Sequence, residues 1–201
     1  MPPITLHQPS KYASSSSSTT TSPTPTTPSP TISFLSRTWS VTHSTLPMWR
    51  KARNVRITYS PLPSPSSSPS TPQKIADLVE YEPLDGSSLK NVRGIDTAST
   101  PTSLTAWDWR GSGFLFFVTS HWEILGHGEV PETGERWVVT WFQKTLFTAE
   151  GVDVYSDRKE GPSEGLKKQI LEGLEKMEGG VGELCRRDMQ EVRIELPWRE
   201  K

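Results

Sequence analysis

The chain contains few side chains suited to acid–base chemistry. His43, His121 and Glu123 lie on segments that are predicted to be extended, and histidines and carboxylates are the usual general acids and bases. Asp96 and Asp108 are further partners for the two histidines. Sequence spacing does not bring these groups together, so catalysis by His43, His121 and Glu123 is an alternative interpretation.

Metal and cofactor chemistry receives little support. His43, His121 and His127 are not spaced as local ligand pairs, and Cys185, the only cysteine, is far away in sequence. No G-x-S-x-G motif, P-loop or dinucleotide fingerprint occurs, which removes the commonest hydrolase, phosphotransferase and oxidoreductase signatures. We therefore expect neither a metal nor a cofactor. A single cysteine also excludes an internal disulfide and favours a reducing compartment.

Aromatic side chains are a second set of candidates. The segment from Trp107 to Thr148 holds five of the eight tryptophans. Aromatic walls with a few polar groups are typical of small-molecule sites, although ordinary core packing explains the tryptophans equally well. The candidate ligand contacts are Trp49, Arg56, Tyr59, Trp109, Trp122 and Trp141.

Arginines near these aromatics have two interpretations. Arg56, with Tyr59 and Arg110, could orient an anionic or oxygenated ligand. The interpretation that we favour is structural, with the arginines forming salt bridges. Their partners would be Asp77, Asp96 or Asp108.

Alternating hydrophobicity and turn residues predict eight strands with no helix between them. The predicted strands are Arg37–Ser44, Asn54–Tyr59, Ile75–Glu82, Ser88–Asp96, Leu104–Trp109, Phe114–Leu125, Trp137–Phe147 and Val152–Tyr155. Hairpin-like connections favour an all-β, eight-stranded antiparallel up-and-down barrel over a sandwich. Side chains can fill such an interior, or it can hold one small ligand.

The two longest aromatic strands differ in how well their inner face is predicted. In the first, the more apolar face should point inward, and it carries Phe114, Phe116, Val118, Ser120, Trp122 and Ile124. In the second, Trp137, Val139 and Trp141 compete with the alternate set that contains Val138 and Phe142. A shift of one residue would invert either assignment.

One C-terminal helix is predicted over residues 162–178, before Gly179 and Gly180. Its single apolar stripe indicates that it packs against the outside of the barrel. A last extended piece, Glu191 to Leu196, could pair with an open sheet edge. The Ser/Thr/Pro-rich residues 1–31 are predicted to be a disordered tail, and the domain covers 32–201 with a disordered insertion at 60–73.

The charge distribution is uneven although the net charge is only −1. No acidic residue precedes Asp77, and Arg50, Lys51 and Arg53 form a basic cluster that could contact phosphate. We favour a solvated surface for this cluster and expect no nucleic-acid partner. No apolar run is long enough to span a membrane and no secretory signal is present, so a cytoplasmic location is expected.

Three parts of the sequence resemble the calycins, and within them lipocalins of the bacterial and apolipoprotein-D type. Phe34-Leu-Ser-Arg-Thr-Trp39 resembles the F-L-G-T-W signature of that family, and Leu46 to Tyr59 is similar to its first loop and second strand. Val152 to Ser156, Arg158 and the helix from Pro162 match its last barrel strand and packed helix. The resemblance covers residues 34–196.

This resemblance implies that Trp39 closes one end of the barrel, with Arg158 stacked over its ring as a cation–π partner. The sequence departs from the pattern at two points. Ser36 or Arg37 stands where the signature glycine belongs, and Asp157 separates Ser156 from Arg158.

These observations lead to one main functional hypothesis and two alternatives. The main one is binding of a small, largely hydrophobic molecule inside the barrel, without catalysis. The first alternative is a cofactor-free isomerase or cyclase that acts on a hydrophobic substrate in the same barrel. The second is a non-catalytic interaction module with a filled barrel. The sequence indicates no oligomeric state.

Overall fold

The computed structural model describes residues 3–13, 28–63, 70–86 and 88–200. Alternating residues and tight turns produce one sheet of nine strands. The strands are β1 (Thr38–Ser44), β2 (Ala52–Pro61), β3 (Lys74–Pro83), β4 (Lys90–Thr100), β5 (Ser103–Gly111), β6 (Thr119–Glu129), β7 (Arg136–Phe142), β8 (Gly151–Ser156) and β9 (Gln190–Glu191).

Strands β1 to β8 form a closed antiparallel barrel. Each strand from β2 to β8 pairs with the next, β8 pairs with β1, and β1 pairs back with β2. The predicted eight-stranded up-and-down barrel is therefore confirmed. Strand β9 lies outside it and adds to the end of β1, where His43 pairs with Glu191.

The described helices are short except at the C-terminus. They are α1 (Ser10–Ala13), α2 (Ile32–Leu35), α3 (Glu164–Lys176) and α4 (Gly179–Asp188). The sequence predicted one C-terminal helix over residues 162–178, whereas the structure has two. Helix α3 ends at Lys176, Met177 and Glu178 are extended, and Gly179, with a φ of +68°, begins the second helical segment.

Two apolar clusters lie on opposite sides of the barrel wall. The inner cluster includes Trp39, Val41, Trp107 and Ile124. The outer cluster joins outward residues of β6, β7 and β8 to one stripe of α3 and to α4; its central members are Leu125, Val139, Trp141, Val154, Leu166 and Ile170. Both faces of β7 are consequently apolar, because one faces the interior and the other faces the helices.

Trp39 lies at the start of β1, at one end of the barrel. Its side chain is fully buried, and its Nε1 donates a hydrogen bond of 3.0 Å to Leu35 O. The guanidinium over the ring belongs to Arg37, at 5.4 Å from the ring centre, and not to Arg158 as the resemblance implied. Arg158 instead pairs with Glu135 at 3.4 Å, because that buried carboxylate needs a counter-charge.

The start of β6 differs from the prediction. Residues Gly113–Leu115 form a 3₁₀ turn, and the strand begins only at Thr119. Gly113 has a φ of +63°, which interrupts the extended conformation. Phe114 and Phe116 are therefore exposed in a loop rather than directed inward. Strand β7 likewise ends at Phe142, five residues before the predicted end at Phe147.

The first part of the predicted tail lies against the barrel. Ile4, Leu6 and Tyr12 pack on the outer cluster, and the backbone N–H of Ser10 donates to Glu123 at 3.0 Å. Residues 14–27 and 64–69 lie outside the described residues, and with them part of the predicted tail and part of the predicted 60–73 insertion. Ser60 and Pro61, at the start of that insertion, belong to β2.

Gly94 makes room for Trp109 on the barrel wall. A Cβ at this position would overlap Trp109 Nε1 and lie 2.8 Å from Arg110 O. We expect Gly94→Ala to displace Trp109 and to lower the free energy of unfolding by about 1–3 kcal/mol, as overpacking does. Denaturant unfolding monitored by tryptophan fluorescence measures this change. Asn91→Ala, at an exposed position of the same strand, is the matched control and should be near neutral.

Candidate functional site

The barrel is hollow towards one end. A cavity of about 260 Å³ lies between the middle of the barrel and the loops after β1, β5 and β7. One water molecule needs only roughly 15 Å³, so the described side chains do not fill this end of the barrel. The cavity is lined by Leu46, Met48, Trp49, Ile57, Tyr59, Asp77, Val79, Val92, Trp109, Leu115, Val118, Ser120, Trp122, Phe142, Thr145, Phe147, Thr148, Asp153 and Tyr155.

Three stacked rings form the inner boundary of the cavity. Trp122 lies between Tyr59 and Trp107, with 5.8 Å between neighbouring ring centres on each side. The interplanar angles are 8° and 12°, so the three rings are nearly parallel. Tyr59 and Trp122 line the cavity, whereas Trp107 is fully buried behind them. The stack therefore separates the hollow part of the barrel from the part filled by side chains.

Asp96 holds this stack in place from beneath. Its Oδ1 accepts a hydrogen bond of 2.7 Å from Trp122 Nε1, while its Oδ2 accepts none from the described residues. Burial, and then the neighbouring carboxyl of Asp77, raise the pKa of Asp96 well above its usual value. Burial and the adjacent carboxyl of Asp77 therefore both favour the neutral form of Asp96.

Two further carboxyls face the cavity directly. Burial raises the pKa of Asp77 to about 7, against an opposing contribution from the Trp109 indole. On the other side, burial raises the pKa of Asp153 to about 7, against Ser44 and Trp49. Both groups have a buried Oδ1 that accepts no hydrogen bond from the described residues. Asp153 is only 3% exposed.

The polar groups of the cavity can bind a ligand through hydrogen bonds. Burial raises the pKa of Tyr59 and of Tyr155 well above the usual value, so both phenols are neutral donors. None of the described residues that line the cavity is basic. Near neutral pH, Asp77 and Asp153 are poised between a neutral hydrogen-bond donor and a negative acceptor. They therefore suit a ligand with a hydrogen-bond acceptor or a basic nitrogen.

Four of the six predicted ligand contacts meet in this cavity. Trp49, Tyr59, Trp109 and Trp122 line it. Strand alternation places Tyr59, Trp109 and Trp122 inward, whereas Trp49 lies in the 3₁₀ turn Pro47–Lys51 after β1. The other two, Arg56 and Trp141, lie on the outer face of the barrel.

Arg56 and Trp141 have structural partners outside the barrel. Arg56 pairs with Glu80 at 3.1 Å, and not with Asp77 or Asp96, because those carboxyls point inward and Arg56 points outward. The other predicted arginine, Arg110, donates to Phe116 O. Trp141 donates to Glu150 at 2.8 Å and packs in the outer cluster. The predicted salt bridges of Arg56 and Arg110 to aspartates are therefore replaced by these contacts.

The alternative catalytic residues also lie outside the cavity. His121 Nδ1 lies 2.8 Å from Asp108 and its Nε2 lies 3.3 Å from Glu123, and these partners, Glu123 first, raise the pKa of His121 to about 8 despite burial. His43 leaves the inner face because a register shift between Val41 and His43 turns it outward, and burial lowers its pKa. Neither histidine lines the cavity.

Asp153 is the main functional residue that sequence reasoning missed. In β8, Val152 and Val154 point outward into the outer cluster, so Asp153 and Tyr155 must point inward. The signal was present in the sequence as an acidic residue inside a short apolar strand, on the face shared with Tyr155. For Asp77, the sequence predicted only a salt bridge to an arginine.

No protein-family model matches the chain, and no curated protein is significantly similar to it. Among the residues that the structure describes, no helix is long and apolar enough to cross a membrane. The same residues contain no group of three or more His, Cys, Asp or Glu side chains arranged to hold a metal ion. The site is therefore characterised by its geometry alone: a hollow, eight-stranded antiparallel barrel with buried carboxyls in its wall.

The raised pKa of Asp153 predicts a pH-dependent stability. The folded protein retains this proton up to about pH 7, whereas the unfolded chain releases it near 3.8, so raising the pH through this window favours unfolding. Asp153→Asn removes this contribution. The variant should therefore gain stability relative to the wild type between pH 4 and pH 7, by up to about 4 kcal/mol.

Guanidinium unfolding of both proteins at a series of pH values measures this difference. Asp85→Asn, on an exposed loop, is the matched control, and its difference from the wild type should stay flat. A difference for Asp153→Asn that does not change with pH would contradict a buried neutral carboxyl.

Proposed function

We propose that the protein binds a small, largely apolar molecule in the cavity of its barrel. The observation that carries this proposal is the cavity itself: about 260 Å³ lined mainly by aromatic and aliphatic side chains, with a few polar groups. Burial of apolar ligand surface supplies affinity at such sites, and the few polar groups set orientation. The aromatic stack gives the ligand a flat, rigid surface against which to pack.

The unpartnered carboxyl oxygens define the polar part of the ligand. A buried oxygen without a hydrogen bond costs roughly 1–3 kcal/mol, and a ligand that bonds to it recovers part of that free energy. Asp77 and Asp153 each present such an oxygen. The ligand is thus an apolar body with one or two groups that hydrogen-bond to these carboxyls.

We also propose that the chain is a lipocalin-like member of the calycins and that it acts in the cytoplasm. The closed antiparallel barrel, the buried Trp39 and the helix packed outside support the first proposal. The second rests on Cys185 as the single cysteine, since a reducing compartment leaves it free. Burial raises the pKa of its thiol to about 12, so Cys185 is unreactive.

Filling the cavity tests the binding proposal. Ser120 lines the cavity from β6. It pairs with Trp109 of β5 and precedes Trp122 by two residues on its own strand. We expect Ser120→Trp to occupy the ligand volume and to weaken binding of the neutral fluorescent probe 1-aminoanthracene at least tenfold, about 1.4 kcal/mol. Titration of the probe by its fluorescence measures the dissociation constant.

The matched control is Thr119→Trp, one residue earlier and exposed on the outer face. It adds the same side chain without entering the cavity, so probe affinity should stay within about twofold of the wild type. Equal affinity in Ser120→Trp and the wild type, or no probe binding by the wild type, would refute binding in this cavity.

A second candidate function is cofactor-free acid–base catalysis on an apolar substrate, such as an isomerisation or cyclisation. The observation that favours it is the pair of cavity carboxyls, Asp77 and Asp153, each with a pKa raised to about 7. A general acid or base works best when its pKa lies near the working pH. In this form of the hypothesis the two aspartates replace His43 and His121, which face away from the cavity.

Solvent deuterium exchange tests this second function without knowledge of the natural substrate. We use 1-tetralone, an apolar ketone whose α-hydrogens exchange when one carboxylate removes a proton and an acid protonates the oxygen. The wild type should accelerate exchange, measured by mass spectrometry, about 100-fold more than Asp153→Asn. His121→Asn should retain the wild-type rate. If the exchange rate fell in His121→Asn and not in Asp153→Asn, catalysis would depend on His121, outside the cavity, and the proposed role of Asp153 would be refuted.

A further inference from the structure

The exposed apolar side chains are concentrated at one end of the barrel. Because adjacent strands alternate in direction, the loops after β1, β3, β5 and β7 all lie at the same end, here called the open end. Among the described residues, seven of the nine exposed large apolar side chains belong to these loops: Met48, Leu84, Phe114, Phe116, Phe117, Leu146 and Phe147. The remaining two are Ile95 on β4 and Leu196 near the C-terminus.

The opposite end has a different surface. The loops after β2, β4, β6 and β8 carry no exposed large apolar side chain among their described residues. Trp39 and α2 close the barrel there. An apolar patch of this kind on one end of a monomer marks an interaction site, because scattered exposure would be shared between the two ends.

We propose that the open end docks on the surface of a membrane that contains anionic lipids. The tips of two loops insert their apolar side chains between the lipid headgroups, and the basic side chains around them contact the headgroup phosphates.

Protruding tips are the first argument for a lipid partner. Phe114 is 96% exposed and Leu146 is 88% exposed, so both side chains extend away from the barrel. Behind them, Phe117 contacts Phe116 and Phe147, with ring centres 5.6 and 6.5 Å apart. The two loops therefore present one aromatic ridge. A lipid interface accepts such a ridge without a matching groove, whereas a protein partner must supply one.

Charge is the second argument. The described part of these loops and the adjoining first residue of β4 carry four basic side chains, Arg50, Lys51, Lys90 and Lys144. Their acidic residues are Asp85 and Glu150, and Glu150 is already bonded to Lys11 and Tyr12. The end that exposes the apolar ridge is thus also basic, which is the combination that anionic lipid surfaces attract.

The position of the cavity is the third argument. Met48 and Phe147 are exposed on the open end and also line the cavity. An apolar molecule dissolved in a bilayer would therefore reach the cavity between these loops without crossing bulk water. Docking itself depends only on the surface, so it is tested without any ligand.

Vesicle co-sedimentation tests the proposal with the full chain. We expect the wild type to bind vesicles of phosphatidylcholine with 30% phosphatidylserine, and to bind pure phosphatidylcholine more weakly, because the anionic headgroups attract the basic side chains of the open end. The double variant Phe114→Asp/Leu146→Asp should lose at least tenfold in partition coefficient. The variant Lys51→Gln/Lys144→Gln should reduce the preference for phosphatidylserine.

The matched control is Ile95→Asp/Leu196→Asp, which introduces the same charges at the two exposed apolar positions away from the open end, and it should bind as the wild type does. Circular dichroism verifies that each variant is folded. Absence of vesicle binding by the wild type, or equal losses in both double aspartate variants, would overturn the proposal. The proposal would also be overturned if the wild type formed a dimer in ultracentrifugation and did not bind vesicles, while the Phe114→Asp/Leu146→Asp variant was monomeric.

Discussion

Closure of eight strands is the constraint on which the rest of the structure depends. Pairing of β1 with both β2 and β8 gives an interior that is just wide enough for side chains to fill or for one small ligand to occupy. Large side chains fill one part of this interior and leave another part open. Trp39 fills one end, and the stack of Tyr59, Trp122 and Trp107 stops the filling halfway. The cavity is the volume that remains on the other side of that stack.

Burial of carboxyls in this volume has both an energetic and a functional consequence. An ionised aspartate is strongly unfavourable in an apolar interior, so burial favours the neutral form of Asp96, whose Oδ1 accepts a hydrogen bond from the Trp122 indole. Asp77 and Asp153 retain oxygens that no described side chain satisfies. A protein selected only for stability would replace such groups by apolar ones. Their presence in the wall of the cavity is consistent with the ligand proposed above.

Sequence alternation predicted the barrel and cavity residues such as Tyr59 and Trp122, because a strand with one inward face shows period two, as β2 does at Ile57 and Tyr59. Alternation does not identify the inward face of a strand whose outward face is also buried. Trp141 and Phe142 are both apolar, and only the helices outside explain why Trp141 is the outward one. His43 changed face through a register shift, which has no sequence signature. Alternation also predicts that Phe114 and Phe116 point inward, but both lie in a loop beyond the end of the barrel and are exposed.

The raised pKa of the cavity carboxyls is the property on which the proposed site most depends. A pH titration of the ¹³Cγ chemical shifts of the aspartates by NMR tests it most directly. The account predicts that Asp77 and Asp153 titrate with a pKa of about 7, and that Asp96 titrates well above its usual value. Midpoints near 3.8 for all three would show that water solvates these groups, and would contradict the enclosed site.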